Sequence, residues 1–426
     1  MSRCTKYNKR VKECSATRTM NIFEKYYEKL LRFFPRQWRR IVFVWQYIHS
    51  EKHPYVKLTE YAEACPDKVE ILKRTVQTMS YKVPIYWGEM DTSLLDGGCY
   101  TTIVTRIRDG ICFVYSDIVL LSNGQVFYEL KEQESIRAYT NFVDEALLYD
   151  TDTWCKIRPH HEVKHLPAAI KIGGMFGFNY YHFMYQILPK FSDINGIDAS
   201  VPILLDIAAK DVSSMERLVK IVNKQHREII YMNYGVWYEV ENLYYISSSN
   251  LVVPNYKRHI VLPKNTACFS KKSIDWLRSE LLPHRADIST PKRIFIARRK
   301  ASSKRSYNEA ECFAAIKHFG FKEVYPEQLS IEEQMTLFNN AELIVGATGA
   351  ALSNIVFANA GCKVIVLSNY KFRLPIFSSI ADLVGVKMLY LHDKKLGICK
   401  DCVKLHRNFN IDAKQLNEIV AQLLLP

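Results

Sequence analysis

The chain has 426 residues, 48% hydrophobic and 24% charged, with no low-complexity tract or heptad run, so fibrous and disordered classes are excluded. The longest early apolar run, IVFVWQYI (41–48), falls short of the roughly 20 residues that span a bilayer. Residues 1–20 lack the apolar centre of a signal peptide, and 11 scattered Cys do not describe a disulfide framework, so a soluble protein of a reducing compartment is expected.

The net charge of +14 is uneven, because residues 1–60 hold 14 Lys/Arg against 5 Asp/Glu. Within them, NIFEKYYEKLLRFFPRQWRRIVFVWQYIH (21–49) mixes basic and aromatic residues at near-helical spacing, interrupted at Pro35. Such a stretch suits an anionic membrane surface, an acidic partner, or a helix packed on the protein with a solvated basic rim. No helix-turn-helix, zinc-finger or RNA-recognition signature accompanies the charge, so nucleic acid is not an expected partner. A length above 400 suggests more than one domain. The pattern divides the chain into a basic extension (1–55), a domain over 56–288 and a second over 289–426.

YTTIVTRI (100–107), CFVYSDIVLL (112–121) and VFYELK (126–131) read as strands, with Asn123-Gly124 as a hairpin turn. Asp150-Thr151-Asp152 after ALLY (146–149) imitates a metal-binding Asp-x-Asp but reads as an acidic turn. In GGMFGFNYYHFMYQILPKF (173–191), Asn179 is the expected N-cap of a helix ending at Pro189. His182 then falls in the first turn, where the helix dipole keeps it neutral and suited to act as a base. Gln186, four residues on, shares its face. The alternative is a buried aromatic helix with His182 hydrogen-bonded in the core. VPILLD (201–206) and REIIYM (227–232) bracket a helical SSMERLVKIVNK (213–224), as parallel strands with a crossover helix do. LLPHRADISTPKR (281–293) reads as a linker.

The remaining pattern alternates strictly. RIFIARR (293–299), FKEVYP (321–326), ELIVG (342–346) and KVIVL (363–367) are strands. Asn308 with Glu311, and Ser330 with Glu333, have capping spacing for helices over 309–319 and 331–341. The turn ATGAALSN (347–354) follows a strand and opens a helix, where free N–H groups favour a phosphate. A basic loop with Arg298, Arg299, Lys300, Lys304 and Arg305 ends another strand of the same sheet, at the edge where doubly wound sheets hold ligands. Arg there holds a diphosphate bidentately, whereas Arg299 and Lys300 read as solvated. The lone Cys399-x-x-Cys402, with His406 nearby, is a poor zinc or redox motif.

Three segments together resemble glycosyltransferase family 61: NYYHFMYQILPKF, RIFIARRKASSKRSYNEAE, and GFKEVYPEQLSIEEQMTLFNNAELIVGATGAALSNIVFANAGCKVIVL. The shared pattern is an N-Y-x-H-aromatic helix, an I-x-R strand end, an Arg followed by N-E, G-F-x-x-V, P-E-x-L-S-x-x-E-Q and a G-x-H-G-A-G-L-T-N-like turn. It covers residues 171–370, and the first 150 or so residues carry no clear motif of it. Thr348 stands where the family often has His, and Ala351 where it has Gly. Thr348 can donate a hydrogen bond there but does not titrate. The resemblance implies a GT-B-like α/β fold, two Rossmann-like doubly wound domains facing a cleft, and inverting, metal-independent transfer from a nucleotide sugar to a glycan hydroxyl. It further implies donor contacts from Arg298, Arg305, Asn308, Glu309, Thr348, Gly349, Ala350 and Asn354, acceptor-side roles for Asn179, Tyr181 and Gln186, and His182 as base. No metal or other cofactor is expected. Without a leader or anchor, the expected setting is cytoplasmic, peripheral on the inner membrane face, in bacterial capsule or O-antigen synthesis. The alternatives are a non-catalytic nucleotide-binding scaffold of the same fold and a basic nucleic-acid-binding protein.

Overall fold

The computed structural model describes residues 36–91, 93–132, 140, 144–253, 264–298, 306–393 and 408–425. Residues 21–35 of the amphipathic stretch, Arg299, Lys300, Lys304 and Arg305 of the basic loop, and Cys399, Cys402 and His406 lie outside the described residues. None of the described helices is long and apolar enough to cross a membrane. The described cysteines are free thiols.

Helix α1 (Arg36–His49) starts one residue after Pro35. Then follow β1 (His53–Val56), α2 (Leu58–Ala64), β2 (Val69–Tyr81), β3 (Leu95–Cys112), β4 (Ile118–Leu120), β5 (Val126–Tyr128), β6 (Leu147–Asp150) and β7 (Trp154–Ile157). Gly124, in the left-handed region at φ 85°, turns the β4–β5 hairpin as the Asn-Gly signal predicts. β8 (Glu162–Lys171) leads into α3 (Tyr180–His182), β9 (Ile203–Asp206), α4 (Ser213–Val222), β10 (Ile229–Met232), β11 (Val236–Ile246), β12 (Leu251–Val252), β13 (Ala267–Ser270) and α5 (Lys271–Leu281).

These strands form one sheet with the path β10-β9-β8-β11-β3-β4-β5-β1-β7-β6, while β2 pairs with β3 and β13. β8, β9 and β10 are parallel, with α4 crossing over as its apolar spacing predicts. The rest departs from the doubly wound domain expected for 56–288. β3 runs antiparallel to β2, β4 and β11, with a short turn joining β3 to β4 and no described helix between β2 and β3, so the crossover helices of a doubly wound sheet are missing here. A Rossmann-like unit of parallel strands is therefore fused to an antiparallel layer. The outer strand β2 alternates between exposed and covered residues, as a half-solvated strand does.

The second sheet meets its expectation and adds to it. β14 (Arg293–Ile296), α6 (Glu309–Ile316), β15 (Lys322–Val324), α7 (Ile331–Asn340), β16 (Leu343–Ala347), β17 (Lys363–Ser368), α8 (Ile376–Leu383), β18 (Lys387–His392) and α9 (Ala413–Leu424) follow in order. The path β15-β14-β16-β17-β18 is parallel throughout. Side-chain alternation loads both faces. Phe295, Val345 and Ile365 pack with α6 and α9 residues Cys312, Ile316, Leu416 and Ile419. Ile294, Ile344 and Val364 join the larger core that also holds Ile187, Leu188, Phe191 and Leu277 of the first half. At about 1.5–3 kcal/mol for each fully buried aliphatic side chain, that shared core binds the halves together. Polar links reinforce it: Lys82 Nζ reaches Asp382 at 2.6 Å and its backbone N–H donates to Ser379 Oγ at 2.8 Å.

Ser330 and Glu333 form the full reciprocal capping box. Asn308 does not cap its helix. Its amide donates to Glu311 at 2.7 Å and to the Ile411 carbonyl at 2.9 Å, while its oxygen accepts from the Ile411 N–H at 2.8 Å. It clamps the segment before α9 instead.

Candidate active site

The carboxyl edge of the parallel sheet holds the first part of the site. Arg298 follows β14 and Thr348 follows β16, its neighbour, so the register brings the two together. Arg298 Nη1 donates to the Thr348 carbonyl at 2.8 Å, and the backbone N–H of Arg298 donates to the buried Glu309 carboxylate at 2.9 Å. Burial draws the Arg298 guanidinium down from its usual range, against the opposing pull of Tyr307, Glu309 and Glu327. A Cβ on Gly349 would stand 3.5 Å from that guanidinium, in ordinary contact, so Gly349 lies directly beside Arg298. Gly349 is extended, with φ 170°, and Ala350–Phe357 is a 3-10 helix, not the α-helix expected. Ala350 is exposed at the mouth of the turn, while Thr348 is buried and its N–H donates to the Leu367 carbonyl. Asn369 and Asp393 complete this edge, Asp393 accepting from the Tyr370 N–H at 2.9 Å.

The second part stands on the segment after β8. Asn179 caps α3 as expected, accepting from the Tyr181 N–H at 3.0 Å. The helix does not stop at Pro189. It widens into a π-helix over Phe183–Ile187 and tightens into a 3-10 helix over Leu188–Asp193, with Pro189 at its start. Proline there removes only an N–H that a helix start leaves unpaired, and single π turns recur at functional sites. His182 Nδ1 lies 2.5 Å from Gln186 Oε1. Because a Gln oxygen only accepts, Nδ1 carries the proton and Nε2 is the basic nitrogen. Burial lowers the His182 pKa, against Gln186 and the charge of Asp117, which favours the neutral base. Phe176 packs on its ring at 5.0 Å.

The turn before α3 has a different reason for its glycines than ligand approach. A Cβ on Gly173 would come within 2.8 Å of Asp206 Oδ2, and Cβ atoms on Gly177 and Gly174 would clash with Asp206 and Asp117. The turn closes over these carboxylates. Asp206 accepts from the N–H groups of Tyr115 (2.6 Å) and Gly174 (2.9 Å), and fully buried Lys171 donates to the Gly173 carbonyl at 2.8 Å.

The two parts meet. Tyr180 OH donates to Asn354 Oδ1 at 2.7 Å, Asn354 Nδ2 donates to Gln334 Oε1 at 2.7 Å, and Tyr185 OH donates to the Ser353 carbonyl at 2.6 Å. Asn354 is wholly buried with both ends of its amide used, so it staples the two halves together. Tyr181 turns inward against Tyr185 and Phe377, and Tyr180 takes the junction. Sequence reasoning missed Tyr180 and Gln334, because choosing between adjacent tyrosines needs the rotation of the short α3–π segment. Arg298 bonds to Thr348 just before the 3-10 helix that carries Asn354, His182 and Gln186 lie on the segment that begins with Tyr180, and Asn308 is committed to Ile411. Asp150 is likewise engaged, by Lys131 Nζ and Tyr55 OH at 2.6 Å each, as an acidic turn would be. Among the described residues no cluster of His, Cys, Asp and Glu has metal-binding geometry.

Residues 180–365 match the family model described as Glycosyltransferase 61. The span runs from Tyr180 through β17, taking in His182, Arg298, the Thr348 turn and Asn354. No curated protein matches the chain.

Proposed function

We propose that the chain, whose residues 180–365 match the glycosyltransferase 61 family model, is a glycosyltransferase that transfers a sugar from a nucleotide-sugar donor to a glycan hydroxyl with inversion, His182 acting as base. The observation that carries this reading is the junction itself. It joins the segment that carries His182 to the 3-10 helix that follows the Thr348 turn, at the carboxyl edge of a parallel sheet, the edge where such folds hold nucleotides, and this supports the reading. The donor diphosphate lies against Arg298 and the Thr348–Gly349–Ala350 turn, with Arg305 from the adjoining loop. Fixed N–H groups and guanidinium charge stabilise the departing diphosphate, so the reaction proceeds without a metal. Nε2 of His182 takes the acceptor proton as the hydroxyl oxygen attacks the anomeric carbon, and the bond to the diphosphate breaks on the opposite face.

We place the acceptor, a growing capsule- or O-antigen-type glycan, at an anionic membrane surface on the cytoplasmic side. Supporting this are Phe43, Val44, Trp45 and Ile48 of α1, which are 44, 52, 45 and 66% exposed. The basic excess of residues 1–60 lies in the same region. Lys156 anchors the helix beneath them through the carbonyls of Tyr47 and Ser50. Transfer from a panel of UDP-, GDP- and CMP-linked sugars, in excess chelator and with the product anomer read by NMR, tests the reading. Inverted product formed in chelator is expected. Activity restored only by Mn²⁺ or Mg²⁺, or a retained anomer, overturns the mechanism.

A further inference from the structure

Beside Gln186, the partner of His182, lies a small cavity of about 20 Å³, room for one water molecule, lined among others by Gln186, Lys190, Asp117, Glu129 and Asn250. Two of its lining groups are spent. Glu129 accepts from the hydroxyls of Tyr100 and Tyr245 and from the Ser248 N–H. Asn250 donates to Tyr185 and Ser273 and accepts from Ser270. Three are not. Lys190 is 2% exposed, yet its ammonium has no hydrogen-bond or ion-pair partner among the described residues. The Asp117 side chain and the Gln186 NH₂ group have none either. These groups converge: the point that a Cβ on Gly174 would occupy touches Asp117 Oδ1 and lies 3.6 Å from Lys190 Nζ. A buried ammonium is retained only where its charge and its donors are met.

We propose that Lys190 is a positioning residue for His182. A single water in the cavity joins the Lys190 ammonium and the Asp117 carboxylate to the Gln186 NH₂ group, so that Gln186 can present only its oxygen to His182. An amide free to flip would offer NH₂ to Nδ1 as readily as oxygen, and the imidazole would lose its fixed tautomer. With the NH₂ end held by the cavity, Nδ1 keeps the proton and Nε2 stays open toward the acceptor. The hydrogen bond on one ring nitrogen thus sets the chemistry of the other. Lys190 also stands in the Leu188–Asp193 turn that continues the His182 segment, which ties its charge to the same backbone.

The assignment rests on His182 being the base, and its test keeps the two ideas apart. In full-length protein with ¹⁵N-labelled histidine, the His182 signals are identified by their loss in His182→Ala, and long-range ¹H–¹⁵N spectra report which nitrogen is protonated. Wild type shows Nδ1–H with an unprotonated Nε2. Lys190→Met and Gln186→Leu mix the tautomers and lower kcat about tenfold or more with nucleotide affinity unchanged, while Gln186→Glu, which can only accept, keeps the wild-type tautomer. A fixed Nδ1–H tautomer in both Lys190→Met and Gln186→Leu overturns the proposal. Gln186→Leu, which strands no buried cation, carries both readouts if Lys190→Met does not fold. Should His182→Ala retain turnover, the base reading falls, and the tautomer spectra still decide the link from Lys190 to Gln186.

Discussion

The two sheets solve the same burial problem with opposite means, and they contribute opposite chemistry. The parallel sheet is apolar on both faces: β16 and most of β14 and β17 are buried, and among the described residues its carboxyl edge offers backbone, the held guanidinium of Arg298 and the side chains of Thr348, Asn369 and Asp393. The mixed sheet instead buries ionisable side chains, Lys171, Lys190, Asp144 and Asp206 among them, around the turn that carries His182. A rigid backbone cradle suits binding of a constant diphosphate. A cluster of buried charges suits control of a proton. On the proposed mechanism this is a division of labour, in which damage to one half should change affinity and damage to the other should change rate.

The largest effect that sharpens this contrast belongs to His182→Ala. It lowers turnover by roughly 10²–10⁴-fold, the usual worth of general base catalysis, measured on protein with a wild-type melting profile. Unaltered turnover per folded molecule returns His182 to the core. Next comes Arg298→Ala, which weakens donor binding by about 1.5–3 kcal/mol, the scale of a charge-assisted contact, while the rate at saturating donor changes less. Titration calorimetry with the preferred nucleotide checks it, and equal loss in affinity and rate would blur the division. Asn354→Ala strands the Tyr180 hydroxyl and the Gln334 amide at the seam, lowering stability by about 1–3 kcal/mol in denaturant unfolding. A loss of nucleotide affinity without loss of stability would make Asn354 a ligand contact after all.

The smallest effect is a pH slope. Burial pushes the Asp144 carboxyl up to about 7 and that of Asp206 up to about 6, from about 3.9 in an unfolded chain. A raised folded value means the native state holds these protons more tightly. Their contribution to stability is whole below about pH 4 and is lost as pH rises through 6 and 7. Melting temperatures should therefore decline across that window, and Asp144→Asn should flatten part of the decline. An identical slope in the variant would show that Asp144 is charged at little cost in the fold.

Legibility in the sequence followed the same divide. Continuous apolar runs between capping and glycine signals made β14, β16 and β17 and the helices between them readable, because local pattern and tertiary role agree there. β18 and α9 went unpredicted, the latter despite Asp412, which caps it through the Lys414 and Gln415 N–H groups. The mixed sheet was expected to be doubly wound because the family resemblance implies two such domains and because β9 and β10 do flank the helix α4. Nothing local reveals that β11 runs parallel to β8 yet antiparallel to β3. The site was half legible. His182, Gln186, Arg298 and the Thr348 turn stand out as residue types in context. Tyr180 and Lys190 do not, since their roles depend on a π turn and on a cavity assembled from β3, the residues flanking β4 and β5, and segments far along the chain.

The most direct measurement of the division of labour is nucleotide affinity in the variant that removes the base. Purified His182→Ala, titrated with the nucleoside diphosphate of the best donor and assayed for transfer in the same buffer, should bind within about twofold of wild type while its turnover collapses. Affinity and turnover falling together, or turnover persisting, would contradict the separation of donor cradle from proton acceptor.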